Sequence, residues 1–342
     1  MQRSQPLSLL WPAGTVPSQV GTALDPQCVR DLELESTLAA LADGRPRQSS
    51  IRKVFLNLCH DPAVIAYRQD VLDEHGVAMQ VLTLTTPGTH VETPATAVRL
   101  ASLVNDEFKE AMETRGRHFT ALATLPLNDP AASARELARA MNQLGMRGAM
   151  LFSNINGAAL SDERFWPIYE AANDAGAVLY IHPEHPVGVE SMLNYWLMPL
   201  CGFLFDTTLA AASIVFSGVA ERYPNIRWAL CHLGGTIPYL AERLDRGFHA
   251  FRDCRAHIDR EPSTYLKEFY YDTVNFNQGA LKLAIEFAGP DHILAGSDYP
   301  HQIGSIPMML DAVRQLPLTD AERASVAGLN AARLLGLEER AQ

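Results

Sequence analysis

The chain has 342 residues and a formal net charge of −11 at pH 7. This length fits one large domain, and the 47% share of hydrophobic residues is enough for a sizeable core. The acidic balance argues against nucleic acid as a partner, although a local basic pocket could still hold a small acidic molecule.

The cysteines and the apolar runs indicate where the protein works. The 5 cysteines are an odd number without CxxC spacing, which is typical of reduced thiols in a cytoplasmic protein. The N-terminal apolar run 7–11 is too short for the core of a signal peptide. No run approaches the ~20 apolar residues of a membrane span. We therefore expect a cytoplasmic protein without a membrane partner.

From residue 61 onward, short apolar runs alternate with amphipathic stretches. The runs predict strands, and the stretches between them predict helices. The predicted strands are 77–85, 119–125, 147–152, 178–182, 226–232, 269–273 and 293–297. The predicted helices are 61–74, 94–114, 131–144, 162–175, 206–223, 238–248 and 279–287, and terminal helical turns are predicted over 319–335. Strands that alternate with helices favour right-handed β–α–β units and a parallel sheet.

The N-terminal part of the chain is less regular. A candidate strand at 7–11 would complete, with the seven later strands, a (β/α)8 TIM barrel. An open doubly wound sheet is the alternative, but no glycine-rich fingerprint follows an early strand. We predict an irregular N-terminal segment, residues 1–60, with a degenerate first strand and an insertion. Residues 61–342 would form the single barrel domain.

Three predicted strands end on side chains that can bind a metal or move a proton. These side chains are His182, His232 and Asp298. In an α/β barrel, the carboxyl ends of the strands carry the chemistry. Imidazole and carboxylate groups bind divalent metals such as Zn²⁺ and also act as general acids and bases. Taken singly, a histidine here could be structural and the aspartate could cap a turn.

Residues near these strand ends are candidates for binding a substrate. Arg243 lies on the helix after His232, where it could clamp a carboxylate or point to solvent. Trp196 lies in the long loop after the preceding strand and could stack on a substrate or pack the loop. Gly234 and Gly235 would allow the backbone to approach a ligand closely.

Four motifs together resemble the amidohydrolase-related family, in particular its aminocarboxymuconate-semialdehyde decarboxylase branch. They are Leu-Pro-Leu-Asn-Asp-Pro at 125–130, Ile-His-Pro at 181–183, His-Leu-Gly-Gly at 232–235 with Pro238 and Arg243, and Gly-Ser-Asp-Tyr-Pro-His at 296–301. The resemblance extends from about residue 61 to residue 337. It implies a metal-dependent (β/α)8 barrel.

The resemblance also implies a role for each site residue. His182 and Asp298 would bind a divalent metal, which we expect to be zinc. His232 would be the general acid/base, and Asp298 would share in the catalysis. Arg243 would reach the carboxylate of a small substrate, in that decarboxylase from the neighbouring subunit of a homodimer. Trp196 is the further substrate-binding candidate.

One family feature is missing from this sequence. The family carries a His-x-His pair at the end of the first strand, which completes the metal shell, and the chain has no such pair. If 7–11 is the first strand, the ligand positions fall on Pro12 and Gly14, which cannot ligate through a side chain. Three interpretations stay open: the metal has been lost, His60 or His90 completes an altered site, or the family's first strand lies outside this sequence.

The sequence therefore predicts a decarboxylase-like enzyme, a carbon–carbon lyase that releases CO₂ from a small carboxylated aromatic or dienoate. A hydrolase that opens a lactone or an amide with the same groups is the first alternative. A metal-free homologue that only binds a small acid or a partner subunit is the second, and the missing His-x-His pair favours it. Fold alone does not identify the substrate.

Overall fold

The computed structural model describes residues 62–115 and 118–337. The candidate strand at 7–11, the positions Pro12 and Gly14, and His60 lie outside the described residues. The eighth strand and the domain boundary after residue 60 therefore stay predictions.

Each of the seven strands predicted after residue 76 contains a strand of the structure. The strands are β1 Gln80–Leu82, β2 Phe119–Ala121, β3 Gly148–Phe152, β4 Asn154–Ile155, β5 Ala158–Ala159, β6 Val178–His182, β7 Arg227–Leu230, β8 Tyr270–Asp272 and β9 Ile293–Leu294. The sequence analysis did not predict β4 and β5, which form an antiparallel hairpin. Asn156 and Gly157 form its tight turn, and both have the positive φ that such turns require.

The strands β3, β6, β7, β8 and β9 form one sheet in that order. All four pairings between them are parallel. Because these strands all run in the same direction, their carboxyl ends lie at the same edge of the sheet. All five residues of β3 are buried, as is usual for a parallel strand covered on both faces.

Helices connect the strands. They are Pro62–His75, Pro94–Thr114, Pro130–Gln143, Trp166–Ala175, Phe203–Phe216, Val219–Arg222, Ile237–Ala250, Pro262–Leu266, Gln278–Ala288, Ile306–Arg314, Asp320–Ala324 and Asn330–Leu334. The helix Pro130–Gln143 begins after Asp129, whose carboxylate caps it by accepting a hydrogen bond from Ala132 N at 2.9 Å.

One helix predicted as continuous is interrupted. The predicted helix 206–223 is two helices, because Gly218 adopts a left-handed conformation with φ +79 between them. This prediction of a single helix is therefore wrong, since an apolar period continues through the break. The helical turns predicted over 319–335 are the helices Asp320–Ala324 and Asn330–Leu334, with the wider π-type turn Ser325–Leu329 between them.

The contacts divide the chain into two compact units. Among the described residues, one unit holds those up to Val81 together with those of 106–120, and the other holds Leu82–Asn105 together with those from Ala121 onward. Every candidate site residue that the structure describes belongs to the second unit.

The helical stretch Met198–Phe216 is, by length and composition alone, apolar enough to cross a membrane. This finding differs from the expectation, drawn from the sequence, that no apolar run approaches the length of a membrane span. However, 44% of the window is buried inside the protein, and a core helix passes the same test. Its Asp206 is buried and accepts a hydrogen bond from Asn154 at 2.8 Å. A buried carboxylate that is hydrogen-bonded to another part of the chain indicates a helix that packs within the protein.

Candidate active site

The structure brings the three predicted strand-end residues together. The ring centroids of His182 and His232 lie 5.4 Å apart. His232 Nε2 lies 3.8 Å from Asp298 Oδ1, which is the distance of an ion pair rather than of a hydrogen bond. The side chains of His232 and Asp298 are only 10% and 12% exposed, so solvent screens this pair weakly.

A fourth side chain, Cys231, joins these three, and the sequence analysis did not identify it. Its Sγ lies 3.3 Å from His232 Nδ1, and the residue is 1% exposed. One ligand atom each from His182, Cys231 and His232 lie within 4.8 Å of one another. We call His182, Cys231, His232 and Asp298 the strand-end cluster. The position of Cys231 directly before a strand-end histidine could have marked it as a site residue. However, a lone cysteine without CxxC spacing is usually a core residue.

Two residues of the strand-end cluster have a left-handed backbone. The φ angles of His232 and Asp298 are +50 and +55, and that of Leu233 is +56. For a residue other than glycine this conformation costs roughly 1–2 kcal/mol. At Leu233 the surrounding structure supplies a restraint, because its N–H donates to Asp272 Oδ1 at 3.0 Å. Such strain concentrates at functional sites, where it holds side chains in place.

The two glycines after His232 serve the packing of the protein. A Cβ on Gly235 would lie 2.2 Å from the carbonyl oxygen of Leu204, and one on Gly234 would lie 2.5 Å from the ring of Tyr271. Protein atoms therefore account for both glycines. The close approach of a ligand, which the sequence suggested, is not needed to explain them.

The two histidines hold protons differently. Burial, followed by the charge of His232, lowers the pKa of His182 to about 3. Burial also lowers the pKa of His232, but Cys231 and Asp298 outweigh it and place that pKa well above its ordinary value. Burial raises the pKa of Asp298, yet His232 outweighs it and holds that pKa below its usual range. A neutral imidazole therefore lies beside a protonated one that is paired with a carboxylate.

The donor atoms of the cluster fit a divalent metal. His182 Nδ1 lies 2.8 Å from the carbonyl oxygen of Pro183, so Nδ1 carries the hydrogen and Nε2 keeps a lone pair. This backbone contact orients the ring in the way that a ligating histidine requires. The Cys231 thiol lies within 4.8 Å of a ligand atom of His182, and the Asp298 carboxylate lies 3.8 Å from His232 Nε2. Thiols and carboxylates both bind divalent ions.

The other predicted residues lie apart from this cluster. Arg243 is exposed on the helix Ile237–Ala250, and Trp196 is 54% exposed with φ +58. Among the described residues, no hydrogen bond, ion pair or ring contact joins either of them to the cluster. His90 is 1% exposed, and its ring lies 4.9 Å from that of Phe152, which in turn lies 6.4 Å from His182. His90 thus reaches the cluster through an aromatic ring and not through a donor atom.

Comparison with known proteins defines the class. A model of the amidohydrolase family matches residues 62–337. The chain belongs to the amidohydrolase family, which confirms the resemblance read from the four motifs.

The similar proteins narrow this class further. 2-Amino-3-carboxymuconate-6-semialdehyde decarboxylase of Dictyostelium discoideum is 32% identical over 284 residues, which are 82% of this chain and 78% of that protein. The structure of 5-carboxyvanillate decarboxylase from Sphingomonas paucimobilis matches with a TM-score of 0.75 and 29% identity, over 84% of this chain and 90% of that one.

A third similar protein was solved with a metal. It is a dihydroxybenzoic acid decarboxylase from Polaromonas sp. with bound manganese and 2-nitroresorcinol, and it matches with a TM-score of 0.74 and 27% identity, over 79% of this chain and 85% of that one. The predicted (β/α)8 barrel fold and the predicted enzyme class, a carboxy-lyase, are confirmed by these relatives.

Proposed function

We propose that the protein removes a carboxylate group as CO₂ from a small carboxylated aromatic or dienoate, with a divalent metal at the strand-end cluster. The observation that carries this proposal is the 5.4 Å approach of the His182 and His232 rings. This approach places the lone pair of His182 Nε2, which can bind a metal, beside the proton of His232, which can be transferred to the substrate. The relatives support it, because they are decarboxylases whose names specify small carboxylated compounds.

His232 provides the proton that replaces the lost carboxylate. When the carbon–carbon bond breaks, its electron pair stays on the substrate carbon, which must take up a proton. His232 Nε2 faces Asp298 at 3.8 Å, too far for a hydrogen bond, so its proton can be donated to the substrate. Asp298 stabilises the imidazolium before the transfer and so keeps the proton available.

His182 and Asp298 would hold the ion, His182 through Nε2. We propose zinc, as the sequence analysis expected, although the Polaromonas relative contains manganese. When bound, the ion would supply Lewis-acid stabilisation of the carboxylate substrate. Because the described thiols Cys201, Cys231 and Cys254 are free, a reducing, cytoplasmic location remains part of the proposal.

A homodimer completes the proposal. Leu200, Phe205 and Leu209 are 49%, 51% and 62% exposed, and the last two lie one turn apart on the same helix. Exposed apolar patches of this kind mark interaction surfaces. In such a dimer the exposed Arg243 would bind a substrate carboxylate in the partner's site, and Trp196 would stack on the substrate ring.

Product analysis tests the proposed reaction. The purified protein is incubated with a panel of carboxylated phenols and dienoates, and released CO₂ and the remaining acids are measured. CO₂ release with loss of one carboxylate supports the decarboxylase. A ring-opened acid without CO₂ would instead identify the hydrolase, and binding without turnover would identify the non-catalytic homologue.

The assembly is tested separately. We expect wild-type protein to have the mass of a dimer in light scattering, and Leu209→Asp to shift it to the monomer because a charge enters the apolar face. Leu283→Asp, which alters an apolar side chain that is 40% exposed on another helix, is the matched control. A monomeric wild-type protein with full activity would rule out the dimer.

A further inference from the structure

We propose that Asp272 is a positioning residue for the proton donor, because its buried carboxylate holds the strained backbone turn that carries His232. Asp272 is the last residue of β8 and belongs to none of the four family motifs. The inference rests on the proposed function only in taking His232 as the group that donates a proton. Asp272 acts through His232 and does not itself touch the substrate.

The carboxylate of Asp272 is bonded through both of its oxygens. Oδ1 accepts hydrogen bonds from the N–H groups of Leu233 at 3.0 Å and Val274 at 2.9 Å, and Oδ2 accepts one from the Tyr180 hydroxyl at 2.8 Å. Asp272 is 4% exposed, so these bonds lie in a medium of low dielectric, where they are strong. They connect the residue to β6 and to the turn after β7, which makes it a fixed anchor.

The turn that Asp272 holds is strained. His232 and Leu233 follow one another with φ angles of +50 and +56, a conformation that residues other than glycine adopt only where the surroundings impose it. The N–H groups of Gly234 and Gly235 donate within the turn itself. The bond from Leu233 N to Asp272, by contrast, connects the turn to another strand. Without this bond the backbone can relax, and the imidazole of His232 then moves.

The neighbouring strand end leaves room for this carboxylate, at the glycine of the Gly-Ser-Asp motif. A Cβ on Gly296 would lie only 2.9 Å from Asp272 Cβ, and the φ of Gly296 is not positive, so close packing explains this glycine. Its N–H donates to Thr273 Oγ1 at 3.0 Å, and its carbonyl oxygen accepts from the same hydroxyl at 3.1 Å. Asp298 follows two residues later. Asp272 thus packs against both segments that carry the acid/base pair, one before His232 and one before Asp298.

Two substitutions of Asp272 separate a positioning role from an effect of its charge. Asparagine keeps a carbonyl oxygen for the two N–H groups and an amide for the Tyr180 hydroxyl, whereas leucine has a similar size and no acceptor. We expect Asp272→Leu to lower kcat by about 10²-fold at nearly unchanged KM, and Asp272→Asn to keep kcat within about tenfold of wild type. An equal loss of kcat in both variants would overturn the inference, because asparagine preserves the geometry.

A milder pair of variants covers the case in which Asp272→Leu does not fold. Tyr180→Phe removes the 2.8 Å bond to Asp272, and its matched control, Tyr271→Phe, removes a buried 2.7 Å bond to the carbonyl oxygen of Leu266. Each variant loses one hydrogen bond of a buried tyrosine, so both should lower the urea midpoint. Only Tyr180→Phe should also lower kcat, by several-fold. A loss of kcat in both variants, or in neither, contradicts the positioning role.

The imidazole signals of His232 report its position without any substrate. The zinc-loaded full-length protein is labelled with ¹⁵N-histidine, and the His232 signals are assigned by their absence in His232→Gln. We expect them to move in Asp272→Leu and to stay close to their wild-type positions in Asp272→Asn and Tyr271→Phe. Signals that do not move in Asp272→Leu, or that move equally in Asp272→Asn, overturn the inference.

These outcomes separate the inference from the proposed function. Signals that move as expected, in a protein that releases CO₂ from no carboxylate, leave the positioning role of Asp272 and remove the decarboxylase. CO₂ release by a protein whose His232 signals do not move in Asp272→Leu leaves the decarboxylase and removes Asp272.

Discussion

Two buried polar groups lie near the carboxyl ends of neighbouring strands, and they differ in how their polar atoms are paired. The first is the strand-end cluster. The second, which we call the β3 network, consists of Ser153, Asn154, Glu184 and Asp206, all between 3% and 5% exposed. In the network, Asn154 donates to Asp206 at 2.8 Å, Ser153 also donates to Asp206, and Glu184 N donates to Ser153 Oγ at 2.9 Å.

In the strand-end cluster, by contrast, His232 contacts the sulfur of Cys231 at 3.3 Å, a hydrogen-bond distance, and Asp298 only at 3.8 Å, an ion-pair distance. Direct hydrogen bonds thus join distant segments of the chain in the β3 network, although Glu184 Oε2 has no partner among the described residues. The proton on His232 Nε2 is not tied up in a hydrogen bond to Asp298, so it can be passed to a ligand. Substitutions in the two groups should therefore affect different measurements.

The largest effect is expected at His232. We expect His232→Gln to lower kcat by roughly 10²–10⁴, because an amide cannot supply the proton that an imidazolium supplies. KM should change little, whereas the free energy of unfolding should fall, because the buried carboxylate of Asp298 loses its charged partner. Steady-state kinetics on the substrate found by product analysis provide the measurement.

The matched control for this variant is His249→Gln. His249 is exposed and pairs only at the surface with Glu261, at 2.7 Å, so its loss should leave kcat unchanged. Equal turnover of His232→Gln and wild-type protein would remove the proton-transfer role and with it the contrast between the two polar groups.

The second effect is expected in the β3 network. Asp206→Ala removes the acceptor for the Ser153 hydroxyl and one of the two acceptors of the Asn154 amide, which still donates to the carbonyl oxygen of His185 at 3.0 Å. We expect the free energy of unfolding to fall by about 2–4 kcal/mol, measured by urea denaturation. The exposed Asp311→Ala, which breaks a surface pair with Arg314, should cost no more than about 1 kcal/mol. If Asp206→Ala lost turnover but kept its stability, the network would belong to the active site.

The smallest effect concerns His90, whose two ring nitrogens are buried without a hydrogen-bond partner. Burial lowers the pKa of His90 in the folded protein, and the charge of Glu184 offsets only part of this. In the unfolded chain the ring titrates near ~6.5. Above that pH both states are neutral and the stability is fully present. As the pH falls below it, the unfolded chain gains a proton that the folded protein resists, and stability is lost.

This linkage predicts the behaviour of a neutral replacement. We expect His90→Leu to make the loss of unfolding free energy between about pH 6.5 and pH 5 shallower, by up to roughly 1.4 kcal/mol per pH unit. Urea titrations of both proteins at a series of pH values measure this slope. Identical slopes would show that burial does not lower the pKa of His90 in the folded protein.

Much of the fold could be predicted from local patterns. Seven of the nine described strands lie inside predicted ones, because short apolar runs bounded by turn residues have few other conformations in an α/β chain. The helix break could not be predicted, since Gly218 follows an apolar stretch whose helical period continues past it. The hairpin β4–β5 was missed because two-residue strands leave almost no periodic signal.

For the candidate site, the sequence identified the chemical groups at the ends of β6, β7 and β9, which are His182, His232 and Asp298. The other groups that join them became visible in the fold. The residue pairing across parallel strands is set by hydrogen bonds between distant segments, and it puts Cys231 beside His182. The same kind of long-range contact joins Asn154 to Asp206, 52 positions apart. Periodicity reports the neighbours along one element, whereas a buried polar group acquires its partners from whichever strand packs next to it.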